Sequence, residues 1–271
     1  MHPKLFTFPE MIPLIGGRGI HIYGLMIALA FLFAIWWSKR ESRREGLNEN
    51  RMLDLVFYMM ISGLVGSRIL YVLHSVPNYW DDPLMIFRVW EGGLVFQGGV
   101  IGAVLVAIWL FKKFNMPFFK VADIFAPALS IGHGLGRVGC FFAGCCFGKQ
   151  CPIDFPLAVT FPKIVDGIAP AGIPLYPTQL TEFAAEMLIF AILILMRKRK
   201  PFDGSVFLIY LILYSILRSL IELWRGDLVR GFVIEPYLSN GQFISIVTII
   251  IAVFLWIFLA KRAKEKTKQP R

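Results

Sequence analysis

The sequence predicts an all-α integral membrane protein with seven transmembrane helices, the N-terminus outside, the C-terminus cytoplasmic, and a small irregular extracytoplasmic head. Three observations lead there. Hydrophobic residues make up 57% of the 271 and charged residues 17%, a balance far from that of water-soluble domains. Seven apolar runs lie between short polar links, each near the ~20 residues that cross a hydrocarbon core. Eighteen of the 28 lysines and arginines fall in alternate links, as positively charged cytoplasmic loops require. Residues 1–271 read as one polytopic membrane domain, with 139–178 as the head loop within it.

Taken in order, Met1 to Gly19 offers no basic segment feeding directly into a short apolar run with a small-residue cleavage site, so it reads as a retained outer segment. The first span, Ile20 to Ser38, carries His21 and Tyr23 at its outer end, either as interfacial anchors or as headgroup contacts. Lys39 to Arg51 is the first inner link. The second span, Met52 to Leu73, holds Arg68, and the third, Leu94 to Phe111, follows Glu91-Gly92-Gly93 and sets Gln97 before Gly98-Gly99. Glycines there let the backbone bend and let a lipid chain or a helix come close. The fourth span, Phe118 to Leu135, runs into Gly132-His133-Gly134-Leu135-Gly136-Arg137-Val138-Gly139. Gln179 to Met196, Ser205 to Leu223 and Gln242 to Ala260 complete the set. These runs are too long, and too little alternating, for strands of a membrane barrel.

Three outer loops have character of their own: His74 to Gly93, Gly139 to Thr178 and Trp224 to Gly241. The middle one holds six prolines and all four cysteines, which predicts an irregular cap. Lys264 to Arg271 reads as a disordered tail. The formal charge of +10 reflects topology and attraction to anionic membrane lipid, and no nucleic-acid partner is expected.

Charged groups inside apolar spans carry the chemistry. A charge at bilayer depth costs about 2.5–3.5 kcal/mol on insertion scales, so Arg68, Arg137 and Arg218 should face an interior and serve a task there. Holding an anion is the task a guanidinium fork suits. Gly134-x-Gly136-x-x-Gly139 matches a dinucleotide fingerprint only formally, because it ends a span rather than joining a strand to a helix. Its glycines serve either helix packing or a pocket in which a headgroup reaches Arg137. Tyr214, Arg218 and Glu222 are spaced i, i+4, i+8 and share a helix face; they read as an anion site or as a salt bridge with an interfacial tyrosine. Arg225 adds a cation at the membrane edge. Arg68 is either a headgroup contact or a bundle cation paired with Asp123 or Glu182.

These residues, with Gly66-x-Arg68-Ile69-x-Tyr71, Ala122-Asp123-x-x-Ala126-Pro127, Pro177-x-Gln179-Leu180-x-Glu182 and Gly241-Gln242, resemble the prolipoprotein diacylglyceryl transferase family over nearly the whole chain. The resemblance implies a multi-pass enzyme of the bacterial cytoplasmic (inner) membrane. It would move the diacylglyceryl group of phosphatidylglycerol onto the lipobox cysteine of a prolipoprotein signal peptide and release glycerol phosphate. No cofactor and no metal is implied. Arg137 and Arg218 would hold the phosphate, with Tyr23, Tyr214, His21, Arg68 and Arg225 toward the headgroup, Glu222 aiming Arg218, and Gly148 admitting the head loop.

The chain departs from the family where many members have a histidine and this one has Gln97, which takes no proton at neutral pH. Cys140, Ala143 and Cys145 stand where many members have asparagines and an acid, and Tyr176 stands for a histidine. His133, four residues before Arg137 and so on its face, is the substitute base expected from geometry, with His21 second. Cys140, Cys145, Cys146 and Cys151 read as disulfides or free thiols, since C-x4-C-C-x4-C lacks the C-x2-C spacing of strong zinc motifs. A lipid-binding or lipid-transporting protein with the same cationic interior is the alternative reading.

Overall fold

The computed structural model of the chain describes residues 4–7, 19–74, 82–88, 92–162, 168–226 and 231–268. Residues 75–81 and 89–91 of the first outer loop, Glu91 of the third-span motif and Val89-Trp90 among them, lie outside the described residues. Seven helices dominate: α1 Ile22–Arg44, α2 Glu49–His74, α3 Phe96–Phe114, α4 Phe118–Ala143, α5 Thr178–Met196, α6 Ser205–Glu222 and α7 Asn240–Lys268. All except α4 are long and apolar enough to cross a membrane. The helix that falls outside this set is the one carrying Asp123, Ser130, His133 and Arg137 along its length.

Three small antiparallel hairpins decorate the helices. They pair β1 Lys4–Thr7 with β2 Gly19–His21, β3 Val159–Thr160 with β4 Pro174–Leu175, and β5 Phe232–Ile234 with β6 Leu238–Ser239. The head loop expected to be irregular therefore contains one short pair of strands, and the proline within it, Pro174, is the first residue of β4, a position that strands tolerate. The tail expected to be disordered is helical through Lys268, since α7 carries good helix formers past its apolar run; residues 269–271 lie outside the described residues.

The chain forms two compact units, Ile35–Val121 and Met1–Ala34 with Ala122–Arg271. In the first, α2 and α3 approach through small residues. A Cβ on Gly66 would stand 2.4 Å from the Gly98 carbonyl, and one on Gly102 would stand 2.4 Å from the Ser62 carbonyl. Ser62-x-x-x-Gly66 against Gly98-x-x-x-Gly102 is the close contact that membrane helices build where lipid provides no hydrophobic drive. In the second unit α4, α5 and α6 share a core of Ala126, Ile189, Leu193, Val206 and Tyr210. Asp123 fixes their register: its carboxylate accepts from the backbone N–H of Gly204 at 2.8 Å and of Phe207 at 3.0 Å. It thereby satisfies donors that the start of α6 leaves open.

Candidate functional site

Two pairs of polar residues, each at i, i+4 spacing, meet between α4 and α5 of the second unit. On α4 are His133 and Arg137; on α5 are Glu182 and Glu186, both essentially without exposed surface. The Arg137 Nη2 lies 2.9 Å from Glu182 Oε1 and 3.3 Å from His133 Nε2. His133 Nδ1 lies 3.1 Å from Glu186 Oε1, and the Ser130 hydroxyl donates to Glu186 Oε2 at 2.8 Å. Since Arg137 can only donate, His133 Nε2 is the acceptor of that contact and Nδ1 carries the hydrogen; Glu186 Oε1 lies near Nδ1 but makes no hydrogen bond among the described residues. The His133 side chain remains 27% exposed, so the ring can be reached although its carboxylate partners cannot.

The acidic groups link three guanidiniums into a chain of alternating charge. Glu182 Oε2 lies 4.0 Å from Arg225 Nη1, Arg225 Nε lies 3.9 Å from Glu222 Oε2, and Arg218 Nη1 donates to Glu222 Oε2 at 2.5 Å. Arg137, Arg218 and Arg225 are each less than a tenth exposed. Three arginines face Glu182, Glu186 and Glu222, so the formal charges balance. The Arg137 Nε is buried and makes no hydrogen bond among the described residues, leaving a donor directed at no protein acceptor. Tyr214 stands between the ends of the chain, its ring 4.8 Å from that of His133 and one turn from Arg218 on α6.

Local folding explains these placements. Arg225 lies just past α6, held by a bridge to Gly148. Backbone bonds from Lys149 N–H to Trp224 O and from Gly226 N–H to Phe147 O flank it. A side chain on Gly148 would collide with the Tyr176 carbonyl at 2.3 Å, so the head loop comes this close only with glycine there. On α7, Ser239 and Gln242 form a reciprocal capping box. It starts the helix so that Gly241 lies against the Arg218–Glu222 pair, where an added Cβ would meet Arg218 Nη2 at 3.2 Å. Tyr23 packs on Gly139, two residues beyond Arg137, and is about half exposed.

Other candidates have their own surroundings. Arg68 belongs to the first unit, where it donates to the carbonyls of Met85, Ile86, Gly92 and Gly93 and covers the Tyr71 ring. Four of its N–H donors are thus committed to backbone. Within the second unit Asp123 caps α6, and Glu182 holds Arg137. Gly93 has φ +73° and no room for a Cβ beside Tyr71 and Arg68, which accounts for the second glycine of that motif. Gln97 is exposed in the first turn of α3, and His21 is exposed in the β1–β2 hairpin.

All four cysteines are unbridged. Cys151 is buried, whereas the sulfurs of Cys140, Cys145 and Cys146 lie within 4.8 Å of one another. Hydrogen bonds with Cys140 and Cys145, together with one from Arg225, hold the Cys146 thiol well below the ordinary thiol range. Hydrogen bonding with Cys140 and Cys146 and burial push Cys145 up.

Sequence reasoning named Glu182 only as a motif member and as a possible partner of Arg68, and missed Glu186 and Ser130. The signal was available: a carboxylate pair at i, i+4 inside an apolar span is as costly as a buried arginine and calls for the same question.

Residues 9–258 match a family model described as prolipoprotein diacylglyceryl transferase. The chain is similar to proteins named phosphatidylglycerol–prolipoprotein diacylglyceryl transferase. One from Clostridium tetani is 35% identical over 240 residues, covering 89% of this chain and 93% of the relative. One from Aeromonas hydrophila is 34% identical over 266 residues, covering 94% and 93%. One from Escherichia coli is 33% identical over 293 residues, covering 98% and 99%.

Proposed function

The chain belongs to the prolipoprotein diacylglyceryl transferase family, and from that premise we propose that it transfers the diacylglyceryl group of phosphatidylglycerol to the lipobox cysteine of a prolipoprotein. It does so as a seven-span, N-out and C-in protein of the bacterial cytoplasmic membrane. The six long apolar helices and the placement of basic residues in alternate links support that topology.

The observation that carries the reading is Arg137, a buried guanidinium whose Nε has no acceptor among the described residues and which is joined through Glu182, Arg225 and Glu222 to Arg218. A phosphodiester entering beside it supplies the missing acceptor. In the reaction the lipobox sulfur bonds to the glyceryl carbon, and the carbon–oxygen bond to phosphate breaks with its electron pair passing to the phosphate. The leaving group therefore gains negative charge, which preorganised guanidiniums in a water-poor site stabilise most when it is greatest. The thiol proton goes to His133 Nε2. That lone pair is engaged by Arg137, so turning Arg137 toward the phosphate also frees the base. Headgroup binding and thiol activation are thereby one event.

The test uses purified protein in vesicles containing phosphatidylglycerol, with a lipobox peptide followed by mass spectrometry. The peptide is expected to gain one diacylglyceryl group on its cysteine while glycerol phosphate appears in equal amount. An unmodified peptide, or modification without glycerol phosphate, contradicts the proposal.

A further inference from the structure

We propose that Cys140, Cys145 and Cys146 form a binding site for one thiophilic divalent cation of the zinc class, held by three sulfur ligands with a fourth coordination position open.

The site is created by the way α4 ends. Gly144, at φ +64°, takes the left-handed position, the Cys145 N–H reaches back to the Cys140 carbonyl at 3.1 Å, and the Gly144 N–H reaches the Phe141 carbonyl at 3.3 Å. This is the six-to-one and five-to-two pattern of a Schellman stop. Cys146 follows with φ +59°, a conformation uncommon for a residue with a side chain. The chain doubles back, and sulfurs separated by x4 in sequence converge on one point. The short spacing that zinc motifs obtain from C-x2-C is here obtained from a turn.

The first turn of α5 fixes the returning strand. Gln179 Nε2 donates to the Cys145 carbonyl at 2.8 Å, and the Thr178 hydroxyl donates to the Cys146 carbonyl at 3.0 Å. Both side chains are buried. Two consecutive cysteines are thus each pinned by a side chain from another helix, an arrangement that sets sulfur positions and does nothing for the apolar core.

Distances favour a metal over a bridge. Zinc–sulfur bonds of about 2.3 Å place tetrahedral sulfurs roughly 3.8 Å apart, whereas a disulfide needs about 2.05 Å. Sulfurs within 4.8 Å reach the first geometry by small rotamer shifts. Any bridge among the three would also leave the third thiol unused. Charge agrees: three thiolates around a divalent ion carry one net negative charge, and Arg225, a buried cation that interacts favourably with the Cys146 thiolate, offsets it. Cys151 is outside the cluster, so the fourth position falls to water or another small ligand, as in open zinc sites.

This inference stands independently of the transferase reading, and its test reads metal binding rather than activity. Full-length protein in detergent, reduced and stripped with chelator, is titrated with Cd2+ while thiolate-to-metal ultraviolet absorbance is followed. One equivalent is expected to bind, and Cys140, Cys145 and Cys146 are expected to lose reactivity toward a maleimide, read by mass spectrometry of the labelled peptides. Cys145→Ser and Cys140→Ser should each weaken binding at least about 100-fold, and Cys151→Ser should leave it unchanged. The protection measurement needs no variant, so a misfolded Cys→Ser protein does not spoil the test. Undiminished labelling of Cys140, Cys145 and Cys146 at saturating Cd2+, or binding indifferent to Cys145→Ser and Cys140→Ser, would overturn the site.

Discussion

Glu186 has no exposed surface and lies within an apolar helix, so its charge is costly unless held. The Ser130 hydroxyl donates to it, and the His133 ring stands beside it. In the proposed mechanism its charge beside Nδ1 of His133 favours the hydrogen there and leaves Nε2 to accept. Glu186 acts through His133 and is a positioning residue. Glu186→Gln keeps the shape and the Ser130 bond but cannot stabilise an imidazolium. We expect kcat to fall about 10- to 100-fold with KM for phosphatidylglycerol within about threefold, measured by peptide lipidation at varied lipid content. An unchanged kcat would remove His133 and Glu186 from the mechanism. His133→Ala should lower kcat at least as far.

At the scale of elements, α4 decides most of the account, because it carries Asp123, Ser130, His133 and Arg137 and ends in the cysteine turn. Its polar load keeps it out of the set of long apolar helices, yet the proposed topology needs it to cross the membrane. Epitope tags inserted after Lys113 and after Asp154, both exposed, test this on intact cells. Antibody should reach only the tag after Asp154; equal access to both would show that α4 does not cross. Spacing within an element was legible beforehand. His133 with Arg137, and Tyr214 with Arg218 and Glu222, share faces because helical periodicity requires it. Which faces meet was not legible. Nothing in the sequence of α5 says that Glu182 and Glu186 oppose His133 and Arg137, and Arg225 reaches the cluster only because Gly148, far away in sequence, pairs with it. The cysteine trio needed the left-handed turn at Gly144, and the commitment of Arg68 to backbone carbonyls needed the glycine turn beside it.

Viewed whole, the molecule keeps large apolar side chains on its outside, among them Leu32, Leu105, Ile250 and Phe254, and a balanced set of charges inside one helical unit. In water that distribution would be unstable; in lipid it is the expected one. A lipid bilayer also strengthens what the interior does, since a guanidinium meets an anion there without the screening of bulk water. The central claim is that Arg137 holds the charge that develops on the departing phosphate. It is tested most directly by single-turnover diacylglyceryl transfer in phosphatidylglycerol vesicles, comparing the native protein with Arg137→Ala and Arg137→Lys. Loss of one such donor should slow the chemical step about 100- to 1,000-fold, and lysine, a point charge without the planar fork, should restore only part of the rate. A rate within threefold of native for Arg137→Ala would contradict the account.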